Sequence, residues 1–287
     1  MIRLRRSILY VPADNARALK KAASLGADAY IVDLEDAVAP DRKDAARQAA
    51  CANDLEETGK EVALRINAAA TPWHEADLAA ARGADVAAIV LPKVMRAADV
   101  EQVAAATGHT VWPMIETPQA VLNAASIAAA AAATGPAALV LGTNDLAAEL
   151  GVIVGASRAE LAFALQQAVL AAKAARIDAI DGVLNALDDA PRLSREAAAG
   201  RALGMSGKSV IHPRQIAPVN AAFSPTADEI EQAREVVEAM AGAERASRSV
   251  ATLNGRLVEP LHARAAQALL DAARAIEDED SQDKDRP

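Results

Sequence analysis

The chain has 287 residues, of which 52% are hydrophobic and only 2% aromatic, so its core must be built from Ala, Val, Leu and Ile. The formal net charge of −9 at pH 7 argues against a general nucleic-acid-binding protein. The single cysteine, Cys51, excludes an internal disulfide framework and is typical of a reducing compartment.

The most apolar segment does not have the length of a membrane span. It extends from Ile127 to Leu141 and is interrupted by Thr134-Gly135-Pro136. The basic start, residues 1–6, leads directly into a predicted strand and leaves no room for a signal or transit peptide. We therefore expect a soluble, cytoplasmic protein with neither a membrane nor a nucleic acid as partner.

Strand-like runs alternate with helical stretches along most of the chain. This alternation predicts βαβ units in a parallel sheet, and eight such runs favour a closed (β/α)8 TIM barrel of the α/β class over an open doubly wound sheet. No strand is followed by a glycine-rich dinucleotide fingerprint or a P-loop, which counts against a Rossmann fold. The predicted strands are Arg6 to Pro12, Ala29 to Asp36, Glu61 to Asn67, Val86 to Val94, Thr110 to Thr117, Ala137 to Asp145, Ile177 to Leu184 and Lys208 to Pro213.

The chain continues beyond the predicted barrel, to which we assign residues 1–222. An extension over residues 223–276 is predicted to contain a helix from Thr226 to about Glu244, a hairpin from Val250 to Val258 and an amphipathic helix from Pro260 to about Ile276. Residues 277–287 are charged and lack apolar anchors, so we expect a disordered tail there.

Two apolar runs end abruptly in a carboxylate. Glu116 and Asp145 each lie next to a helix-start signal, and parallel strands would present both at the carboxyl end of the barrel. Such a pair suits a hard cation that prefers oxygen ligands. The alternative is that each acid caps a loop or pairs with an arginine.

The second predicted strand ends in three acids, Asp33, Glu35 and Asp36. These acids could hold metal-bound water or a cation such as Arg65 behind the metal ligands, or they could form a structural salt-bridge cluster at the barrel rim. Arg65 closes an apolar strand, so its guanidinium must find an anion. That anion is either a neighbouring acid or, as we favour, a substrate carboxylate.

Lysine and histidine candidates carry a weaker signal. Lys93 lies at a strand end, but a Schiff-base role there would be redundant beside a metal pair. His212 also lies at a strand end but has no second histidine at zinc-ligand spacing. The remaining histidines, His74, His109 and His262, are expected at the surface.

Seven motifs in order resemble the citrate lyase β-subunit-like family, within the HpcH/HpaI aldolase superfamily that includes malyl-CoA and citramalyl-CoA lyases. The similarity extends from Arg6 to about Leu270. The motifs are Arg6-Ser7-Ile8-Leu9-Tyr10-Val11-Pro12, Asp33-Leu34-Glu35-Asp36-Ala37-Val38, Arg65-Ile66-Asn67, Leu91-Pro92-Lys93-Val94, Ile115-Glu116-Thr117, Gly142-Thr143-Asn144-Asp145-Leu146 and Gly207-Lys208-Ser209-Val210-Ile211-His212-Pro213.

The resemblance implies a (β/α)8 barrel in homotrimers or hexamers, with Mg2+, or Mn2+ in its place, held by Glu116 and Asp145. It further implies that Arg65 binds the 2-oxo acid part of the substrate. Three more residues would lie towards the coenzyme A chain: Arg6, Lys208 and His212.

One position departs from the family pattern. Many members carry an Asp in the hairpin segment after the barrel, and it acts from a neighbouring subunit as the catalytic acid or base. Aligning residues 254–260 on that segment places Glu259 there. Its side chain is one methylene longer, and since a misplacement of about 1 Å can cost on the order of a hundredfold in rate, an altered reaction stays open.

The expected activity is that of a Mg2+-dependent lyase. It would cleave or form the carbon–carbon bond of a 3-hydroxyacyl-CoA such as malyl-, citramalyl- or citryl-CoA, with an acyl-CoA and a 2-oxo acid as the partners. Rival readings are a malyl-CoA-type thioesterase, a 2-oxo acid aldolase without coenzyme A, and a non-catalytic coenzyme A-binding or assembly subunit. Partner subunits of a citrate lyase complex are a further reading left open.

Overall fold

The computed structural model describes residues 3–284. Within them the chain forms two compact units. One comprises Arg5–Phe223, and the other comprises residues 224–284 together with residues 3 and 4.

The first unit is a closed barrel of eight parallel strands in sequence order, which confirms the predicted fold class. β1 pairs with β2 on one side and with β8 on the other, so the sheet has no free edge. The strands are β1 Ser7–Pro12, β2 Ala29–Asp33, β3 Glu61–Arg65, β4 Ala88–Leu91, β5 Thr110–Ile115, β6 Ala138–Leu141, β7 Asp178–Asp181 and β8 Gly207–Val210.

Seven of the strands, β2 to β8, end two to four residues before their predicted carboxyl ends. Polar side chains take over the backbone hydrogen bonds at these points. The carboxylate of Asp33, for example, accepts the N–H groups of Glu35 and Ala37 at 2.8 and 3.2 Å, which turns the chain out of the ladder. The residues beyond the strand ends therefore form loops, where functional side chains of this fold are found.

Helices surround the barrel, and their starts follow ordinary capping chemistry. At the start of α5, the side chain of Thr117 accepts the N–H of Ala120, and Pro118 follows as the first helical residue. At the start of α9, Asp189 accepts the N–H of Arg192, and Pro191 lies in the first turn. Short 3-10 turns lie at Pro40–Arg42, Leu55–Thr58, Ala159–Leu161 and Pro213–Gln215. The helices are α1 Ala16–Ala22, α2 Lys43–Cys51, α3 His74–Ala81, α4 Ala97–Thr107, α5 Pro118–Leu122, α6 Ala124–Thr134, α7 Thr143–Leu150, α8 Ala162–Ala175, α9 Ala190–Leu203 and α10 Ile216–Phe223.

The amino ends of the strands are held together by Arg5. Its guanidinium donates to Glu61, at the start of β3, at 2.7 and 2.9 Å, and to Asp178, at the start of β7, at 2.8 Å. It also lies over the ring of Trp112, 4.6 Å from the ring centroid. Removing one partner of such a buried pair costs about 3–5 kcal/mol, so this end of the barrel serves stability.

The second unit contains two helices and a hairpin around a small core of Met240, Ala243, Ala251 and Val258. Helix α11 is Ala227–Arg245 and begins with a capping box, in which Thr226 and Glu229 exchange hydrogen bonds. Strands β9 Ala251–Leu253 and β10 Arg256–Val258 are antiparallel. Asn254 and Gly255 between them have φ of 48° and 74°, the two positive values that a type I′ turn requires.

The last helix, α12 Pro260–Lys284, is longer than predicted. The structure differs from the expected disordered tail over residues 277–284, where Glu, Gln and Lys favour helix and no glycine or proline intervenes. Residues 285–287 of that predicted tail lie outside the described residues. In the part of the chain that the structure describes, no helix has the length and apolarity needed to cross a membrane.

Candidate active site

A cleft of about 400 Å³ opens at the carboxyl ends of the barrel strands. Its floor and one wall are apolar and include Met114, Leu141 and Val183. Its charged lining comprises Asp33, Asp36, Arg65 and Asp145. A largely apolar concave site with a few charged groups is the usual form of a small-molecule binding site.

Arg65 ends strand β3 and is clamped by Asp33, which ends β2. Its Nε and Nη2 donate to the two carboxylate oxygens of Asp33 at 2.7 and 2.6 Å, a bidentate pair. Both groups are buried, and Tyr10 covers the guanidinium, with its ring centroid 5.0 Å from the carbon of that group. Asp33 therefore acts as the anchor of Arg65.

The remaining nitrogen of Arg65, Nη1, faces the other two acids of the loop. It lies 2.8 Å from Glu35 and 3.5 Å from Asp36. Burial raises the pKa of the Glu35 carboxyl to about 8 despite the attraction of Arg65, and the charges of Asp36 and Glu116 add to the rise. The neighbouring-acid alternative for Arg65 is thus observed, and Nη1 is the nitrogen through which a substrate carboxylate could also be bound.

Glu116 follows strand β5 and is almost completely buried. Its Oε1 accepts the backbone N–H of Lys93 at 2.6 Å. Burial raises the pKa of its carboxyl, although the Lys93 N–H opposes the rise. Gly142 provides the space that this carboxylate fills, because a Cβ atom at Gly142 would lie only 2.3 Å from Oε2.

Asp145 lies in the first turn of α7, four residues after the end of β6, and not at a strand end as predicted. Its carboxylate receives a very short hydrogen bond from the ammonium of Lys93, which also lies 4.0 Å from Oε1 of Glu116. Burial opposes the charged ammonium, but Asp145 and Glu116 outweigh it and raise the pKa of Lys93. The two predicted metal ligands thus converge on one cation.

This arrangement fits a hard cation held by few protein ligands. Among residues 3–284, no cluster of three or more His, Cys, Asp or Glu side chains is arranged to hold a metal ion, so a metal at Glu116 and Asp145 would have two protein ligands. Mg2+ commonly keeps several waters and binds through one or two carboxylates. Within the described residues, Oε2 of Glu116 accepts no hydrogen bond, which leaves an oxygen of the buried acid available as a ligand.

The structure does not bring Arg6 and Lys208 into the cleft. Arg6 precedes β1 at the amino end of the barrel, where its backbone N–H, Nε and Nη2 all donate to Asp28 at 2.7–2.9 Å. Lys208 belongs to β8 and is fully buried, with its ammonium 3.1 Å from Asp181 and 3.4 Å from Glu196. Both side chains are held in buried ion pairs, and neither lines the cleft. Their predicted contacts with coenzyme A stay predictions.

His212 and Glu259 occupy different settings. His212 caps the short turn after β8 by accepting the N–H of Arg214 at 3.1 Å, and it is half-buried at the carboxyl end of the barrel. Glu259 belongs to the second unit and directly precedes α12, with its backbone N–H donated to His262 at 3.0 Å. Its side chain is half-buried. Its predicted role in a neighbouring subunit stays a prediction.

A cluster of polar side chains that was not predicted from the sequence lies behind the loop of residues 33–37. His74, expected at the surface, is buried and its Nδ1 lies 2.8 Å from the carbonyl of Asn67. Lys43, the first residue of α2, is also buried. We name the support cluster as Lys43, Arg47, Asn67, His74 and Asp77, which are joined by hydrogen bonds. The only signal in the sequence was a lysine in an amphipathic helix.

A model of the HpcH/HpaI aldolase/citrate lyase family matches residues 6–213, more than half of the chain. The chain belongs to this family. The match confirms the resemblance drawn from the seven motifs, and it covers every strand of the barrel.

Relatives in the HpcH/HpaI family differ in their named activities. The chain is 44% identical to a (3S)-malyl-CoA thioesterase of Cereibacter sphaeroides, over 94% of this chain and 95% of the relative. It is 32% identical to the citrate lyase subunit beta of Leuconostoc mesenteroides subsp. cremoris, over 95% of this chain and 94% of the relative.

A solved structure of the protein CitE from Mycobacterium tuberculosis, in complex with magnesium, acetoacetate and coenzyme A, is also similar. It superposes with a TM-score of 0.78 at 32% identity, covering 93% of this chain and 97% of that one. Magnesium and coenzyme A thioester chemistry are therefore represented in this family, as are both lyases and thioesterases.

Proposed function

We propose that this chain is a Mg2+-dependent lyase that acts on a short 3-hydroxyacyl-CoA carrying a free carboxylate. The observation that carries the proposal is that Glu116 and Asp145 converge on the ammonium of Lys93, and that Asp145 lines the same cleft as the clamped Arg65. The CitE complex with magnesium, acetoacetate and coenzyme A supports the assignment of ligand classes.

Glu116 and Asp145 are the residues that would hold Mg2+, or Mn2+ in its place. When bound there, the metal supplies a Lewis acid that stabilises negative charge on the oxygen of the developing carbonyl. Lys93, whose ammonium now contacts Asp145, would have to share that carboxylate with the metal.

Arg65 is assigned to the substrate carboxylate. Asp33 holds Nε and Nη2, so the guanidinium cannot rotate, and Nη1 is directed at the position where Glu35 and Asp36 now contribute oxygens. A carboxylate bound at this nitrogen gains a charged hydrogen bond of fixed direction. The apolar wall formed by Met114, Leu141 and Val183 would then exclude water from the carbon–carbon bond.

Cleavage breaks the bond between the carbon that bears the hydroxyl and the carbon next to the thioester. The electron pair of that bond passes to the thioester fragment as an enolate, while the hydroxyl loses its proton and becomes the carbonyl of a 2-oxo acid. The enolate needs one proton in return, so the reaction has no net proton demand. Glu259 of a neighbouring chain is our candidate donor, acting as a general acid in cleavage and as a base in synthesis.

A second activity, hydrolysis of the thioester, is favoured by the 44% identity to a (3S)-malyl-CoA thioesterase over nearly the full chain. Here water adds to the thioester carbonyl and the thiol of coenzyme A leaves. The assigned roles of Arg65 and of the two metal ligands would be the same, since they concern the carboxylate end of the substrate.

The two activities differ in their products. Malyl-, citramalyl- and citryl-CoA are incubated separately with the protein and Mg2+, and free thiol, acyl-CoA and 2-oxo acid are quantified independently. A lyase releases equal amounts of acyl-CoA and 2-oxo acid without free thiol, whereas hydrolysis releases free thiol and hydroxy acid without 2-oxo acid. Binding of the thioesters with no product from any of them would contradict both activities and favour a non-catalytic subunit. The Glu116→Ala variant serves as the control for contaminating enzymes.

A further inference from the structure

The support cluster contains a buried ammonium that the proposed chemistry does not use. Lys43 is 5% exposed, and its three N–H donors go to the carbonyls of Leu34 and Glu35 and to Oδ1 of Asn67, at 2.6, 2.8 and 2.7 Å. In the described part of the chain this ammonium forms no ion pair with a carboxylate. The direct hydrogen-bond partners of this ammonium are neutral oxygens, and the charges of Asp33 and Asp77 act on it from farther away. Burying a charge in this way is costly, and an apolar side chain would fill the same space without that cost.

One peptide unit joins Lys43 to the anchor of Arg65. The carbonyl of the Leu34–Glu35 peptide accepts from Lys43 at 2.6 Å, and the N–H of the same peptide donates to Oδ1 of Asp33 at 2.8 Å. Because a peptide unit is planar and rigid, fixing its carbonyl on one side fixes its N–H on the other. Asp33 in turn holds two nitrogens of Arg65.

Asn67, two residues after Arg65 at the end of β3, also binds the Leu34–Glu35 peptide. Its Nδ2 donates to the carbonyl of Leu34 at 3.0 Å and to Asp77 at 2.6 Å, while Asp77 also accepts the backbone N–H of Asn67 at 2.8 Å. Trp73 closes the remaining side, with its ring centroid 5.0 Å from the ammonium of Lys43. The loops after β2 and β3 are therefore held at one buried charge.

We propose that Lys43 is a positioning residue, which sets the orientation of Arg65 through the Leu34–Glu35 peptide and the carboxylate of Asp33. This rests on the proposed function of Arg65 as the group that binds the substrate carboxylate. Loss of the ammonium frees the carbonyl of Glu35 and leaves the carbonyl of Leu34 with the single donor of Asn67. The Leu34–Glu35 peptide is then held less firmly, and the N–H that it donates to Asp33 can shift. A resulting shift of about 1 Å at Arg65 is enough for on the order of a hundredfold loss of rate.

The test is a double-mutant cycle of Lys43→Met and Arg65→Lys, with Lys20→Met, at an exposed position of α1, as the matched control. Lys43→Met should raise KM for the active thioester and lower kcat/KM by tenfold to a hundredfold. The kcat/KM of the double variant should be no more than about threefold below that of Arg65→Lys alone, because both substitutions disrupt the same contact between Arg65 and the substrate. If Lys43 served stability alone, Lys43→Met would lower the folded fraction, and with it kcat, at unchanged KM. The losses of activity from Lys43→Met and Arg65→Lys would then be additive.

Hydrogen exchange of the backbone amides gives a second readout that needs no activity. In Lys43→Met, exchange should accelerate at Glu35 and Ala37, whose N–H groups bind Asp33, and stay unchanged in the hairpin of residues 251–258. If the wild type turns over none of the thioesters, the proposed function is wrong, but hydrogen exchange still shows whether Lys43 orders the loop of residues 33–37. If Lys43→Met does not fold, Lys43→Gln, whose amide keeps two donors, replaces it in both measurements. Unchanged exchange at Glu35 and Ala37, or an additive double variant, overturns the proposal.

Discussion

Replacing Gly142 by alanine should displace Glu116 without removing any polar group from the site. The backbone at Gly142 has a negative φ, −96°, so this position does not require glycine for its conformation. The Cβ of the alanine would, however, lie 2.3 Å from Oε2 and 2.5 Å from Cβ of Glu116. Ordinary contacts between such atoms are about 3.5 Å, so one of the two residues must move by about 1 Å.

Glu116 has little freedom to yield, because it is buried and its Oε1 is held by the N–H of Lys93 at 2.6 Å. We expect an overpacking cost of about 1–3 kcal/mol, which corresponds to a fall of about 2–12 °C in Tm for a chain of this size. If Glu116 is a metal ligand as proposed, a displacement of about 1 Å should also lower turnover on the order of a hundredfold.

The assay follows turnover of the active thioester against Mg2+ concentration, together with Tm. Gly83→Ala is the matched control, because a Cβ at Gly83 meets no atom within 4 Å. The account predicts that Gly142→Ala raises the Mg2+ concentration needed for half-maximal activity, and that Gly83→Ala does not. If Gly142→Ala keeps a Mg2+ requirement and a turnover within twofold of wild type, Glu116 is not a metal ligand whose position matters.

Three further predictions concern charged groups. Arg65→Lys should lower kcat/KM by tenfold to a hundredfold, since an ammonium cannot keep both contacts to Asp33; near-normal efficiency in steady-state kinetics would support a rim salt bridge instead. The pKa of Glu35 in the folded protein is about 8, above its ordinary value of 4.5, so folding favours the protonated carboxyl. Its contribution to the free energy of unfolding is therefore fully present below about pH 4.5 and is lost as the pH rises through 8. The Tm of wild type should therefore fall between pH 5 and 8 relative to Glu35→Gln, and parallel curves would contradict the assignment. Glu259→Gln should sediment as wild type does and slow proton transfer. Mixing it with Arg65→Ala under subunit exchange should restore part of the activity, and proven exchange without rescue excludes an active site shared between two chains.

Features that depend on local chemistry could be predicted from the sequence. Asn254-Gly255 specifies its turn because both residues accept positive φ, and Thr226 with Glu229 specifies the start of α11. The convergence of Glu116 and Arg65 at one end of the barrel followed from strand order alone, because parallel strands bring all their carboxyl ends to one face.

Side-chain direction was harder to predict. Ser209 and Ile211 line the cleft, so the alternation of side chains along a strand places Lys208 on the opposite face, where it pairs with Asp181. A correct register for β8 would have revealed this. Arg6 lies before β1, and since a strand enters a barrel at the amino end, its distance from the cleft could also have been deduced.

Contacts across several elements could not be predicted. Lys93 has a left-handed backbone, with φ of 53°, and its ammonium reaches Asp145 on a different element. Burial of Lys43 and His74 depends on where Asn67 lies relative to α2 and α3, which no pattern within a single element records. Such positions are fixed by packing between helices and loops and are therefore outside the reach of local periodicity.

The central claim is that Glu116 and Asp145 together form the metal site, and direct metal binding tests it. Mn2+ binding is followed by electron paramagnetic resonance for wild type, Glu116→Gln and Asp145→Asn, with Tm and circular dichroism confirming the fold of each. The account predicts one bound ion per chain in wild type, displaced by excess Mg2+, and a loss of at least tenfold in affinity in each variant. Wild-type affinity retained in both variants would contradict the assignment of the metal site.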